Sequence, residues 1–232
     1  MNVRAALRGL GELLVTAGVV VLLFVAYQLF WTNLQADRAQ AKVTDRIENG
    51  WDKPGAYDPA APVVPGGKPQ SLPGAGDGFA EMWIPRLGSS WHKPVVQGVA
   101  LSDLHRGLGH YPETAMPGQL GNFAVAGHRA TNGEPFRSLD RMKVGDSIVV
   151  ETKSTWLVYV VDKTFKVLPD GVWVIDPVPG KPVSTTPTQK LITLTTCDPR
   201  WGHTRRLIVS GHLVSVRLKS AGRPAVLAGG TA

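Results

Sequence analysis

A single cysteine occurs in the 232 residues, so no intramolecular disulfide can form. Internal repeats are absent. So are a glycine-rich phosphate loop, an HExxH pair and a CxxC pair, which removes the common nucleotide-binding and metallopeptidase patterns. Charge is not blocked. The net charge is +7, and residues 79–218 carry 16 Lys and Arg against 11 Asp and Glu, spread along the chain. A basic surface alone fits nucleic acid, but no DNA- or RNA-binding motif accompanies it, and the excess suits an anionic wall or lipid surface. No nucleic-acid partner is expected.

The one long stretch without charge is Leu13 to Trp31, LLVTAGVVVLLFVAYQLFW. At 1.5 Å per residue it spans about 28 Å, close to the hydrocarbon thickness of a bilayer. Tyr27 and Trp31 sit at one end, where amphipathic rings favour the interface. The run exceeds a signal-peptide core and ends without a small-residue cleavage site, so it reads as an uncleaved anchor. Arg4 and Arg8 precede it, and a short tail before a long domain places the N-terminus in the cytoplasm.

Five segments follow: a tail over 1–12, the anchor over 13–31, a polar and Pro/Gly-rich stalk over 32–78, a domain over 79–218 and a flexible tail over 219–232. Residues 32–50 are polar and suit a short helical continuation. Residues 51–78 hold six Pro and six Gly, a composition that stays extended and buries no core. The domain is built of short apolar runs between turn signals. Candidate strands are 80–84, 94–97, 122–126, 147–151, 156–166, 172–175, 190–196 and 207–216. Helical stretches are confined to 101–108 and 136–142. Such a pattern implies an all-β barrel or sandwich.

The chemistry concentrates in LITLTTCDPRWGHTRRLIV, residues 191–209. An apolar strand runs into Cys197, Asp198-Pro199 opens a turn, and a second strand resumes at Leu207. A thiol at the end of a rigid strand beside a loop is exposed on a firm support. A thiol with an ordinary pKa near 8.5 is mostly protonated at neutral pH, so a cysteine enzyme needs a base or cation near it. His128, in AVAGHRATNGEPF, ends another apolar strand and is the candidate. Arg205 or Arg206 would offer a guanidinium to a developing oxyanion, and only one of two adjacent strand residues faces the same side as Cys197. His203 reads as a solvent-facing loop histidine and His212 as structural. Trp201, in the loop after the cysteine, is balanced between covering the site and lining the barrel rim. Cys197, His203 and His212 match no zinc spacing, and the acidic residues are too scattered for calcium, so neither a metal nor a cofactor is expected.

Three pieces resemble the sortase family: Gly127-His128-Arg129, the TLxTC run Thr193–Cys197, and Arg206-Leu207-Ile208-Val209. Gly109-His110-Tyr111-Pro112 and Pro117–Asn122 are similar to the class E, actinobacterial housekeeping type. The resemblance implies an eight-stranded sortase-type β-barrel with short helices. It also implies a Cys197 nucleophile, a His128 acid–base, Arg206 rather than Arg205 at the oxyanion, and substrate contacts from Tyr111 and Thr196. The implied reaction cuts an LAxTG or LPxTG sorting signal between Thr and Gly through a Cys thioester. The acyl group then passes to a peptidoglycan precursor amine. Partners would be secreted proteins with C-terminal sorting signals, on the outer face of the membrane. A pilin-polymerising sortase is the enzymatic alternative, disfavoured because residues 51–78 lack an obvious aspartate-aromatic lid. A non-catalytic exported β-domain is the other.

Overall fold

Period-two alternation of apolar and polar residues closes into a barrel in the computed structural model, which describes residues 3–53, 56–61 and 70–228. The strands are β1 (Gly78–Trp83), β2 (His92–Gln97), β3 (Leu108–His110), β4 (Gly121–Ala126), β5 (Ser147–Glu151), β6 (Thr155–Val167), β7 (Lys190–Asp198) and β8 (Arg205–Leu218). They run β1-β2-β3-β4-β7-β8-β6-β5 around a closed barrel. The β2–β3 and β4–β7 pairs are parallel and the others antiparallel. Phe123 and Val125 of β4, Leu157, Tyr159 and Val161 of β6, Ile192 and Leu194 of β7, and Leu207 and Val209 of β8 fill the interior. Alternate residues of each strand therefore point inward, and closure leaves no free sheet edge.

Four elements depart from the sequence reading. Residues 172–175 form a 3₁₀ turn, Val172–Ile175, rather than a strand. They lie in the Pro-rich connection between β6 and β7. The side-chain amide of Asn122 donates to the carbonyls of Val174 (3.0 Å) and Asp176 (3.1 Å), giving the turn a partner that is not a ladder. The strand left out is β3, three residues long and too short to leave a periodic signal. Of the stretches read as helix, 101–108 keeps only a short helix over Leu101–Leu104, and 136–142 keeps only a 3₁₀ turn, Leu139–Arg141.

The N-terminal segment is helical from Val3 to Trp51: α1 (Val3–Ala26), a π segment (Tyr27–Trp31) and α2 (Thr32–Trp51), with α3 the short helix at Leu101. Within the stretch 32–78 read as a stalk, residues 32–51 form a helix that lies against the barrel. Ala36, Gln40, Val43 and Ile47 recur at helical spacing and are buried, packing α2 along the barrel wall. Val43 and Ile47 cluster with Val96 of β2. Gly78 is needed at the crossing, because a Cβ there would lie 2.6 Å from both Val43 and Ile47 side chains. Of the prolines read as a stalk, Pro54, Pro62, Pro65 and Pro69 lie outside the described residues. Tyr57 packs edge-on against Phe79.

The tail also differs from expectation as far as Ala228. Lys219–Ala221 and Ala225–Leu227 form 3₁₀ turns. Val226 and Leu227 pack against Val149, Trp156 and Val158. The amine of Lys219 bonds Glu151 at 2.6 Å and sits 3.6 Å over the Trp51 ring. Residues 229–232 lie outside the described residues.

Docking of α2 buries Glu81, on the outer face of β1, to 1 % exposure. Burial pushes its carboxyl up to about 8 against a pull from the Thr44 hydroxyl, with lesser pushes from Glu151 and Glu48 and a small pull from Lys93. An acid whose folded pKa lies above its unfolded value favours folding in its neutral form. Its contribution is full below the unfolded value of 4.5 and declines as pH rises toward 8. Glu81→Gln is therefore expected to raise the melting temperature at pH 8 by at least about 4 °C, at roughly 2–4 °C per kcal/mol. The gain should vanish below about pH 4.5. Calorimetry at the two pH values checks it.

Candidate active site

Strand register decides which side chains share a surface. Inward residues of β7 are Ile192 and Leu194, so Thr193, Thr195 and Cys197 face outward. In the antiparallel β7–β8 pair, Cys197 lies directly opposite Arg206, and Asp198 opposite Arg205. Directly opposed residues project to the same face. Arg206 therefore shares the face of Cys197, and Arg205 belongs to the other. The open choice between the two arginines is resolved by pairing alone.

The parallel β4–β7 pair brings His128 to the same place. Ala126 is registered with Thr195. The ladder continues one step further, with Gly127 N–H donating to the Thr195 carbonyl at 3.1 Å. Two residues on from Ala126 and two on from Thr195 stand His128 and Cys197, on the outward side of neighbouring strand ends. Both are half-buried. Burial first, and the nearby His105 second, hold the His128 imidazole below its ordinary pKa. Its buried Nε2 has no hydrogen-bond partner among the described residues, so no protein group competes for its proton or lone pair.

Arg206 is anchored by its own loop: Nη1 donates to the carbonyls of His203 (3.0 Å) and Arg205 (3.1 Å). Its remaining N–H groups are left for other acceptors. Tyr111 joins the outward surface, its hydroxyl hydrogen-bonded to Thr195 Oγ1 at 3.1 Å. Thr196 does not. It is 3 % exposed, faces inward, and its hydroxyl donates to the Gly127 carbonyl at 2.7 Å. The Thr196 side chain, expected at the substrate, ties the strand end bearing His128 to the one bearing Cys197. His110 is fully buried between Phe79 and Phe123, bonded to Gln97 (2.7 Å) and Thr114 (3.0 Å). Burial lowers its pKa to about 4, as suits a neutral core histidine. Trp201 does not cover the site. It is 64 % exposed, with the Arg200 guanidinium 4.7 Å from its ring centre.

Beneath this surface lies an ionic layer that the sequence reading missed. Asp198 accepts from Arg129 and from Lys166 (2.8 Å), and Arg129 also reaches Asp140 at 3.2 Å. Lys166 first, then Arg129, hold the Asp198 carboxyl below the usual range. The loop after His128 adopts left-handed backbone at Thr131, Asn132, Gly133 and Glu134 (φ 58°, 49°, 79° and 42°). Such a run persists only where surroundings over-determine it. Here α2 does so: Asn33 Oδ1 accepts from Gly133 N–H (2.9 Å), and its amide donates to Glu134 Oε1 (2.8 Å). Glu134 Oε2 in turn accepts from Arg200 in the β7–β8 loop. One chain of contacts thus joins α2 to both loops beside the site. The available signals were the Arg that follows His128 and the Asp that follows Cys197. Nothing local marks Asn33, whose contacts lie a hundred residues away.

A strand-end cysteine, a histidine on the adjacent strand end and an arginine directly opposite the cysteine on closed-barrel walls define a specific arrangement. The "Sortase domain" family model matches residues 82–214. The chain belongs to the sortase family. Sortases are cysteine transpeptidases, and the class E resemblance holds. Sortase SrtE1 of Streptomyces coelicolor is 40 % identical over 234 residues, covering 96 % of this chain and 61 % of its own length, so the chain spans less than two thirds of that relative. Among solved structures, sortase E from Streptomyces avermitilis is 46 % identical with a TM-score of 0.60, covering 66 % of this chain and 99 % of that one. Sortase E1 from Streptomyces coelicolor, solved with a tripeptide in its active site, is 39 % identical with a TM-score of 0.60, covering 67 % and 99 %.

Proposed function

We propose that this sortase is a membrane-anchored transpeptidase. It would cut a C-terminal LAxTG- or LPxTG-type signal between Thr and Gly and join the protein to a peptidoglycan precursor amine. The observation that carries the reading is the register that sets Cys197 opposite Arg206 while His128 ends the neighbouring strand. The Cys197 thiolate adds to the Thr carbonyl carbon, and the resulting oxyanion accepts hydrogen bonds from free N–H groups of Arg206. Collapse breaks the C–N bond, His128 protonates the departing Gly amine, and a thioester remains. The acceptor amine adds to the thioester carbonyl and gives its proton to His128. The thiolate then leaves and an amide bond has replaced the one cut. Arg129 and Lys166 support the strand ends through Asp198 and touch no substrate.

The helix Val3–Ala26 supports the anchor: its most apolar 18-residue window has a mean hydropathy of 2.3 and none of it is buried against protein. Arg4 and Arg8 favour a cytoplasmic N-terminus with the barrel outside.

Mass spectrometry of the full chain with LAxTG and LPxTG peptides plus triglycine or a diaminopimelate-type amine tests the reading. A Thr–amine product supports transpeptidation. Turnover to the free acid alone, with amine in excess, would make the chain a hydrolase. Tyr111→Phe removes the hydroxyl that meets Thr195. Loss of one half-buried hydrogen bond is expected to change the LAxTG over LPxTG preference in kcat/KM by roughly 2–10-fold, with little change in kcat. Competition between the two peptides reads that ratio.

A further inference from the structure

The helix that begins in the anchor does not end at the bilayer surface, and its course orients the barrel. It is uninterrupted from Val3 through Trp51. Asn33 lies two residues beyond Trp31, a rise of about 3 Å. At that level it bonds Gly133 and Glu134, in the loop that follows His128. One turn on, Asp37 meets Lys93 at the start of β2 (3.5 Å). Val43 and Ile47 then pack near Gly78 and Val96, toward the opposite end of the barrel. The helix therefore runs down the barrel wall starting from the catalytic end.

Charge divides along the same axis. The loops and strand ends at the catalytic end are residues 84–92, 127–147, 165–168 and 198–206. Together they hold nine Arg and Lys against four Asp and Glu. The rest of 79–218 holds seven of each, so the whole excess of the domain sits at this end. Three large apolar side chains project from it, Trp201 at 64 % exposure, Val144 at 72 % and Leu168 at 62 %. Trp201 is flanked by Arg200 and Val144 by Lys143, with Arg141 and Arg205 exposed near them. Tryptophan with arginine against its face is a side-chain pair suited to a headgroup layer, apolar on one side and cationic on the other.

From this we propose that the catalytic end of the barrel rests on the anionic headgroup layer of the membrane that α1 enters, with the β7–β8 loop around Trp201 as the principal contact. The inference rests on the anchor reading above. It places Cys197 at headgroup level, so that both the sorting signal and the acceptor amine reach the thiolate along the membrane surface rather than from bulk solvent.

The test uses the full chain with Cys197→Ala, in which a new cysteine is the only thiol. A nitroxide is attached through His203→Cys, beside Trp201, or through Leu120→Cys, next to the start of β4. The six residues of β4 set the two ends about 20 Å apart. Each protein is reconstituted into phosphatidylcholine vesicles with or without phosphatidylglycerol. Flotation is scored first, then collision of the label with lipid-dissolved oxygen and with an aqueous nickel chelate. The label at 203 is expected to favour oxygen over nickel in anionic vesicles, while the label at 120 stays aqueous. Each of Arg141→Glu, Lys143→Glu and Arg205→Glu should reduce the docked fraction at least about fivefold, from about 1 kcal/mol for each basic residue lost at an anionic surface and the repulsion of the carboxylate added. Trp201→Ala should reduce it further. A floating protein whose two labels are equally aqueous would overturn the proposal. Equal docking in the two lipids, insensitive to the charge reversals, would overturn its electrostatic basis. A protein that does not float at all would refute the anchor reading instead.

Discussion

Replacing Cys197 by alanine is expected to reduce kcat for peptide cleavage and for amine transfer by about four orders of magnitude or more, as removal of an attacking nucleophile does elsewhere. The chain has no second thiol to substitute. Only stabilisation of the oxyanion and binding would remain, and neither supplies a leaving group for the second acyl transfer. The fold should survive. Cys197 is half-buried, lies outside the interior cluster and points away from it. The strand end that carries it is held by backbone pairing with β8 and β4 and by the buried Thr196 bond to Gly127. Affinity for the sorting peptide is therefore expected to change less than about threefold, because a surface substitution clear of buried networks leaves structure within about 0.5 kcal/mol. Circular dichroism, peptide titration and turnover on the same preparation separate loss of chemistry from loss of structure. A variant that kept a tenth of wild-type activity would place the nucleophile elsewhere.

Arg206→Ala should cost roughly 10²–10³-fold in kcat, the range for losing a donor to a developing oxyanion, with a smaller change in KM. Arg205→Ala should stay within about threefold, because adjacent strand residues face opposite sides and its partner in the ladder is Asp198 rather than Cys197. The contrast tests geometry rather than charge, since each variant removes one positive charge from the same loop. Arg206→Lys should recover only part of the loss. Lysine supplies a charge but not a planar fork, and it cannot both bond the His203 and Arg205 carbonyls and leave directed donors free. If Arg205→Ala were the damaging change, the β7–β8 register would be displaced by one residue in the working enzyme.

The barrel was legible because most of its strands are long enough to show alternation, as in β6 and β8, and because turn residues separate them. What the sequence hid was of two kinds. β3 has three residues, and no periodicity exists at that length. The β-branched run Val172–Ile175 looks like a strand, but its Val174 carbonyl is taken by Asn122, an interaction about fifty residues removed in sequence. The stripe Ala36, Gln40, Val43, Ile47 was present to be read as the inner face of an amphipathic helix. Its polar companions concealed it, since a helix that docks on a barrel wall needs only a narrow apolar seam.

The site shows the same division. Cys197 and His128 stand out through local context, each at the end of an apolar strand. Arg206 could be separated from Arg205 by resemblance alone until the ladder paired it with Cys197. Thr196 was expected at the substrate because it adjoins a nucleophile in sequence, whereas strand parity turns its side chain into the interior. The network of Arg129, Asp198 and Lys166, and the chain from Asn33 through Glu134 to Arg200, depend on tertiary closure and have no sequence signature.

Intact-mass spectrometry of the full chain, quenched in acid within seconds of mixing with an LAxTG peptide and no amine, tests the central claim most directly. The account predicts one added acyl group, equal in mass to the peptide through its Thr, mapped to Cys197. Hydroxylamine should release it, and it should be absent from Cys197→Ala. Cleavage of the peptide between Thr and Gly with no adduct on Cys197 under those conditions, or an adduct on another residue, would contradict it.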